Sequence, residues 1–265
     1  MAENLLITND DGIYAEGIQL LSQVLFDSGR YKLAVVAPDH ERSAVGHAIT
    51  MHRPLRVEQV SFLHNPALSG WAVNGTPSDC VKLAVEALLE ERPSLIISGI
   101  NRGSNLGTDV LYSGTVSAAV EGIILGIPSV AVSLTERGRH EDYIFAAEFV
   151  RDLIPHLLEE KLPAGTLLNI NVPADRNAVK GVRVTRLGTR RYRNCFDRRT
   201  DPRGMIYYWL AGELVEGEEE EDSDVWAVRE GYISMTPVQF NLTNEAIIPH
   251  LEKMVARMGM SGRQK

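Results

Sequence analysis

Over the first two-thirds of the chain, short apolar runs alternate with stretches whose apolar positions recur every three or four residues. Leu5-Leu6-Ile7 reads as a buried strand, and residues 16–26 set Ile18, Leu21, Val24 and Leu25 at helical spacing. A second strand is expected over 32–37. Helices are then expected over 78–90, 115–125 and 143–159, with strands over 95–98 and 129–133. Continuous apolar strands separated by helices imply a parallel sheet covered on both faces. Right-handed crossovers bring the C-terminal strand ends to one edge, where open sheets bind ligands. The later chain changes character. Residues 166–172, 182–187, 206–210 and 225–228 read as strands without long helices between them. A last helix is expected over 245–258, with a polar tail, 259–265, that frays. The predicted class is α/β, a mostly parallel sheet followed by a smaller hairpin and terminal-helix extension.

At 265 residues the chain can bury a substantial core, and 44% hydrophobic with 23% charged residues excludes global disorder. The net charge of −8 comes partly from the acidic run at 216–224, which reads as a solvated loop or hairpin tip. Without a basic footprint, binding to a nucleic-acid polymer is not expected. A small phosphorylated substrate stays open, because a bound cation can reverse the local field. Cys80 and Cys195 belong to no Cys-x-x-Cys pair and are expected as free thiols in a reducing compartment. The N-terminus lacks the basic start of a signal peptide, and no apolar run approaches the roughly 20 residues of a membrane helix. A cytoplasmic location away from membranes is the expectation.

Three polar, glycine-bearing segments follow predicted strands and so share one sheet edge: Thr8-Asn9-Asp10-Asp11-Gly12, residues 38–47 around Ser43, and residues 98–107 with Asn101 and Asn105. Adjacent carboxylates repel, and one holds a proton unless a cation intervenes. All-oxygen donors suit hard divalent cations. Asp-Asp-Gly also suits a helix N-cap or an Asx-turn, and the asparagines also suit turns. Ser43 offers a hydroxyl ligand or a nucleophile, and His40 and His47 flank it as acid-base or substrate contacts. Tyr112-Ser113-Gly114-Thr115 opens an apolar helix, where Ser113 or Thr115 can cap and free backbone N–H groups favour an anion. There is no dinucleotide fingerprint, Walker-type loop, His-Glu-x-x-His or nucleophile elbow.

Together these segments resemble the SurE family of stationary-phase survival nucleotidases. The resemblance rests on residues 8–13, on 37–38 with 42–46, on Val73-Asn74-Gly75-Thr76-Pro77-Ser78-Asp79, on 98–105 and 112–119, and on Gly126-Ile127-Pro128-Ser129 with Thr236-Pro237. It implies a Rossmann-like core over 1–190 and a hairpin with C-terminal helix over 191–265 that serves oligomerisation into a homodimer or homotetramer. It implies hydrolysis of nucleoside 5′- and 3′-monophosphates with Asp10 and Asp11 catalytic. One divalent cation per subunit, Mg2+ or Mn2+, would be held by Asp10, Asp11, Ser43 and Asn101. Asn9, Asn105, Ser113, Gly114 and Thr115 would bind substrate or its phosphate. A covalent aspartyl-phosphate route is disfavoured, because the two acids are adjacent rather than spaced Asp-x-Asp. Two other classes remain: a non-catalytic nucleotide- or metal-binding regulator, and an interaction protein that uses its acidic segment.

Overall fold

The computed structural model describes residues 2–62, 65–136, 138–215, 217 and 220–258. Its elements in chain order are β1 (Glu3–Thr8), α1 (Glu16–Asp27), β2 (Tyr31–Pro38), β3 (Val57–Phe62), β4 (Asn65–Val73), α2 (Pro77–Leu83), β5 (Leu95–Arg102), α3 (Gly114–Ile124), β6 (Ser129–Leu134), α4 (His140–Glu159) and β7 (Thr166–Val172). There follow β8 (Gly181–Val184), β9 (Tyr192–Arg193), β10 (Phe196–Thr200), β11 (Ile206–Leu210), β12 (Glu213–Leu214), α5 (Asp224–Arg229), β13 (Tyr232–Gln239) and α6 (Ile248–Arg257).

Nine strands form one sheet in the order β3-β4-β2-β1-β5-β6-β7-β13-β8. Strands β4, β2, β1, β5, β6 and β7 pair in parallel; β3 runs antiparallel to β4 and β13 antiparallel to β7. Alternation along β1 explains why the sheet is covered twice. Leu5 and Ile7 join the core that includes Ile18, Leu21 and Leu25 of α1 and Val150 and Ile154 of α4. Leu6 faces the other way, with Val36, Val81 of α2 and Ala118 of α3. The expected α/β class with a mostly parallel sheet is what the chain forms.

The chain leaves β1 toward β2 on one side and later returns to β5 on the other. That reversal is a topological switch point, which opens a crevice at the C-terminal ends of β1 and β5.

Three readings are corrected. Residues 225–228, expected as a strand, lie in helix α5. Ser223 caps it by accepting the Trp226 N–H, and a short apolar run cannot by itself separate strand from helix. The stretch 78–90 is not one helix: α2 stops at Leu83 and passes into a wider π turn, Ala84–Leu88. The acidic run ends buried, since Ser223 and Asp224 are inside while Glu220–Asp222 are exposed. Glu216, Glu218 and Glu219, and the tail 259–265, fall outside the described residues.

Candidate functional site

The acidic turn is built by the residue before it. Asn9 is fully buried; its Nδ2 donates to the Gly12 carbonyl at 2.9 Å, and its Oδ1 accepts the Gly12 N–H at 3.2 Å. Those two bonds curl the backbone immediately beyond β1. The Asp10 carbonyl accepts the Arg42 N–H at 2.7 Å, and Ile13 N–H donates to the Pro38 carbonyl at 2.9 Å. The loop carrying Ser43 is thus laid directly against the turn.

Asp10 points into the molecule, where its Oδ1 accepts the Thr115 hydroxyl at 2.5 Å. Gly114 is required here: a Cβ on it would lie 2.9 Å from Asp10 Oδ2 and 2.8 Å from Asp10 Cβ. The opening of α3 therefore abuts a carboxylate with no side chain between them. Burial pushes Asp10 up to about 6, against the Thr115 hydroxyl bond that lowers it and with help from the Asp11 charge. Asp11 turns toward β5, and its Oδ2 accepts the Arg102 N–H at 2.9 Å. Burial raises it as well, opposed by that bond and by the Arg102 charge. A cleft of about 270 Å³ opens beside Asp11, lined by Glu16, Glu41, Arg102 and Tyr143 among others.

The other expected site residues divide by what their side chains touch. Ser43 is exposed and donates to Glu41 Oε1 at 2.8 Å. Asn101 Nδ2 donates to the Gly103 carbonyl at 2.7 Å, which fixes the carboxamide plane and leaves Oδ1 as the atom that could accept. Ser113 Oγ caps α3 by accepting the Val116 N–H at 3.1 Å. Asn105 is a brace: Nδ2 donates to Ser133 Oγ at 2.8 Å, its N–H reaches Asn171 Oδ1 at 2.8 Å, and its carbonyl accepts Asn169 and Asn171. Asn9 and Asn105 thus hold the turn and the loop from behind.

Among the described residues no three His, Cys, Asp or Glu side chains cluster to hold a metal. A cation here would rely on the two carboxylates of Asp10 and Asp11, the Ser43 hydroxyl and the Asn101 carboxamide, an all-oxygen set. Asp10 is the buried member of the set: a carboxylate enclosed beside another carboxylate is disfavoured as an anion, and a positive charge joining it relieves that cost. The residues fit the group.

Several residues at this edge carry roles that sequence reasoning left unassigned. Arg102 holds Asp11 through its backbone, a contact with no side-chain signature. His47 bonds Glu121 of α3 at 2.8 Å, and Lys82 of α2 reaches the same carboxylate at 3.1 Å. His40 pairs with its neighbour Asp39 at 2.5 Å. Farther along, the loop after β5 is gripped by Asp224. Its buried carboxylate accepts the N–H groups of Gly107, Gly188 and Val225 at 2.8–2.9 Å. Asp224→Ala leaves those donors unpaired and is expected to cost about 3 kcal/mol, lowering Tm by about 10 °C. A thermal melt shifted by less than about 2 °C would show that water replaces the carboxylate.

Three comparisons bear on the chain. The family model described as "Survival protein SurE" matches residues 5–194. A relative from Pelotomaculum thermopropionicum, "5′-nucleotidase SurE", is 54% identical over 261 residues, covering 98% of each chain. One of the same name from Heliobacterium modesticaldum is 57% identical over 246 residues, covering 92% of this chain and 89% of its own. The crystal structure of the SurE protein from Aquifex aeolicus superposes with a TM-score of 0.80 at 39% identity, over 95% of this chain and 99% of that one. A family model spanning most of the chain, full-length relatives above half identity and a matching solved fold agree: the chain belongs to the SurE family.

Proposed function

We propose that the chain is a 5′-nucleotidase that hydrolyses nucleoside monophosphates to nucleoside and phosphate with one divalent cation. The observation that carries this reading is the contact between Asp10 and the opening of α3, which sets a carboxylate against a helix N-terminus at the switch point. Names and near full-length identity of the relatives support the activity.

The cation, Mg2+ or Mn2+, would be held by Asp10, Asp11, Ser43 and Asn101, and when bound it supplies Lewis-acid polarisation of phosphoryl oxygen and acidifies water. The remaining work belongs to the chain. The Gly114 N–H and the positive end of α3 receive the phosphate oxygens and stabilise charge that grows on them, while Thr115 is turned to Asp10. Ser113 keeps that helix start in register by capping it. Thr115 holds Asp10 in one orientation, and the Arg102 N–H does the same for Asp11. Asn9 and Asn105 shape the pocket walls. The 3′-monophosphates belong to the same proposal, since the anion-receiving parts do not distinguish the ester position.

Phosphate release across nucleoside 5′- and 3′-monophosphates, with each cation and with excess chelator, tests this directly. Release should stop in chelator and return with Mn2+ or Mg2+. Undiminished release in chelator rejects the cation, and nucleotide binding without release selects the non-catalytic regulator.

The assembly proposed is a homodimer or homotetramer of a 1–190 catalytic core with a 191–265 extension, in which β13 rejoins the main sheet. The β10–β11 hairpin leaves Trp209 61% and Leu210 76% exposed. Helix α6 has no buried residue among those described, and an unpacked helix of ten residues is marginal in water. A second copy covers both. Leu251→Glu with Met254→Glu should lower the mass seen by sedimentation, and an unchanged mass removes α6 from the interface. Among the described residues no helix is long and apolar enough to cross a membrane. Both cysteines are free, and a cytoplasmic location is part of the proposal.

A further inference from the structure

Glu121 lies seven residues beyond Gly114, so it sits on the same face of α3 two turns along. Its side chain is only 5% exposed, yet both its oxygens are engaged: Oε2 meets His47 Nε2 at 2.8 Å and Oε1 meets Lys82 Nζ at 3.1 Å. Enclosing a carboxylate among such partners gains little over an apolar side chain of the same size. The constellation has to be justified by what it holds in place.

It holds the loop that carries Ser43. That loop is tied upstream by the Arg42 N–H to the Asp10 carbonyl, and near its end by the Gly46 N–H to the Tyr112 carbonyl at 3.0 Å. Between those ties, Ala44 adopts φ 54°, the left-handed region that a residue with a Cβ avoids. Such backbone persists only where its surroundings enforce it. Downstream the strap is fastened independently: Thr76 Oγ1 donates to the Ala48 carbonyl at 2.7 Å, and Asp79 Oδ1 accepts the Thr50 N–H at 3.0 Å. His47 stands between the strained segment and those fasteners. It is the side chain of the loop that reaches α3, the helix whose start faces Asp10.

We infer that His47 is a positioning residue: its bond to Glu121, backed by Lys82, latches residues 43–47 onto α3 so that the Ser43 hydroxyl stays at the cation site. The latch rests on the cation reading above. It acts on the ligand loop rather than on substrate. Releasing it leaves residues 43–47 held only by the backbone ties at Arg42 and Gly46, while the attachments at Ala48 and Thr50 keep the fold. A glutamine at 47 can donate its amide N–H to Glu121 as the imidazole does; an alanine cannot.

The test is direct Mn2+ binding to the full chain without substrate, read from the free-Mn2+ electron paramagnetic resonance signal, for wild type, His47→Ala and His47→Gln, with a thermal melt of each. His47→Ala should bind Mn2+ about tenfold more weakly, and His47→Gln should recover to within about threefold of wild type. The Tm of His47→Ala should move by less than about 4 °C, because the strap stays fastened. Phosphate release by His47→Ala should fall at limiting Mn2+ and recover as Mn2+ is raised. Equal Mn2+ affinity in wild type and His47→Ala overturns the latch, as does a His47→Gln variant as weak as alanine. A wild-type protein that takes up no Mn2+ overturns the cation reading and the latch with it.

Discussion

Asp10→Asn is expected to lower kcat for nucleoside monophosphates by about 10³-fold or more while the protein stays folded. The asparagine Oδ1 can still accept the Thr115 hydroxyl, so the contact with α3 survives and only the charge is lost. Asp11→Asn should behave alike, because its Oδ1 can still accept the Arg102 N–H. Full activity in either variant would remove that carboxylate from the chemistry. The same substitution has a second signature in chelator. Asp10 titrates near 6 in the folded protein, above its ordinary 3.8, because burial disfavours the charged form. A raised carboxylate contributes stability that is complete below its unfolded value and gone once the pH has passed its folded value. Asp10 should therefore add up to about 3 kcal/mol to the stability of chelated wild type as pH falls from 7 toward 4, and Asp10→Asn should lose that share while keeping what Asp11 and Asp224, also raised by burial, contribute. The slope is best read between pH 7 and 5. Glu121 is lowered by its His47 bond, so its contribution fades at the acid end in the opposite sense. Denaturant melts of both proteins across that range decide it. Parallel pH profiles would mean Asp10 is not the buried acid.

Gly17→Ala is expected to cost about 3 kcal/mol or more, lowering Tm by about 6–12 °C or preventing folding outright. A Cβ at this position would lie 2.0 Å from the carbonyl oxygen of Ile100. Neither partner can yield, since one is the first turn of α1 and the other the backbone of β5 beside Asn101. Helix and strand would have to separate, and the turn holding Asp10 and Asp11 leads directly into that helix. Gly29→Ala gives the contrast, because it is left-handed at φ 64° but meets nothing within 4 Å. Its loss should stay near 1 kcal/mol. Comparable melts for the two variants would show that crowding at Ile100 relaxes easily.

Much of this organisation was readable from residue order, for a physical reason. Strands β1, β2, β5, β6 and β7 are buried on both faces, so they appear as apolar runs such as Leu5-Leu6-Ile7 and Ser129-Val130-Ala131-Val132. Strand β13 was hidden because its buried positions include Ser234 and Thr236, and Pro237 interrupts it. Thr236 is satisfied by Thr185, a partner 51 residues away, so nothing local marks it as core. Strands β3 and β4 escaped notice for a related reason: β3 opens with exposed Val57, Glu58 and Gln59 at the sheet edge. At the site, Asp10, Ser43, Asn101 and Gly114 stood out because each follows a strand or opens a helix. The braces did not. The roles of Asn105, Asp224 and Glu121 depend on partners that only the folded chain brings near, namely Asn171, Gly107 and His47.

Strand β13 lies between β7 and β8 although the chain reaches it last. During synthesis, β7 leaves the ribosome with one flank bare and waits while more than sixty further residues are made. The nascent domain must spend that interval shielded or risk pairing with another chain. A stop codon between Val172 and Tyr232 therefore yields a sticky fragment rather than a smaller enzyme.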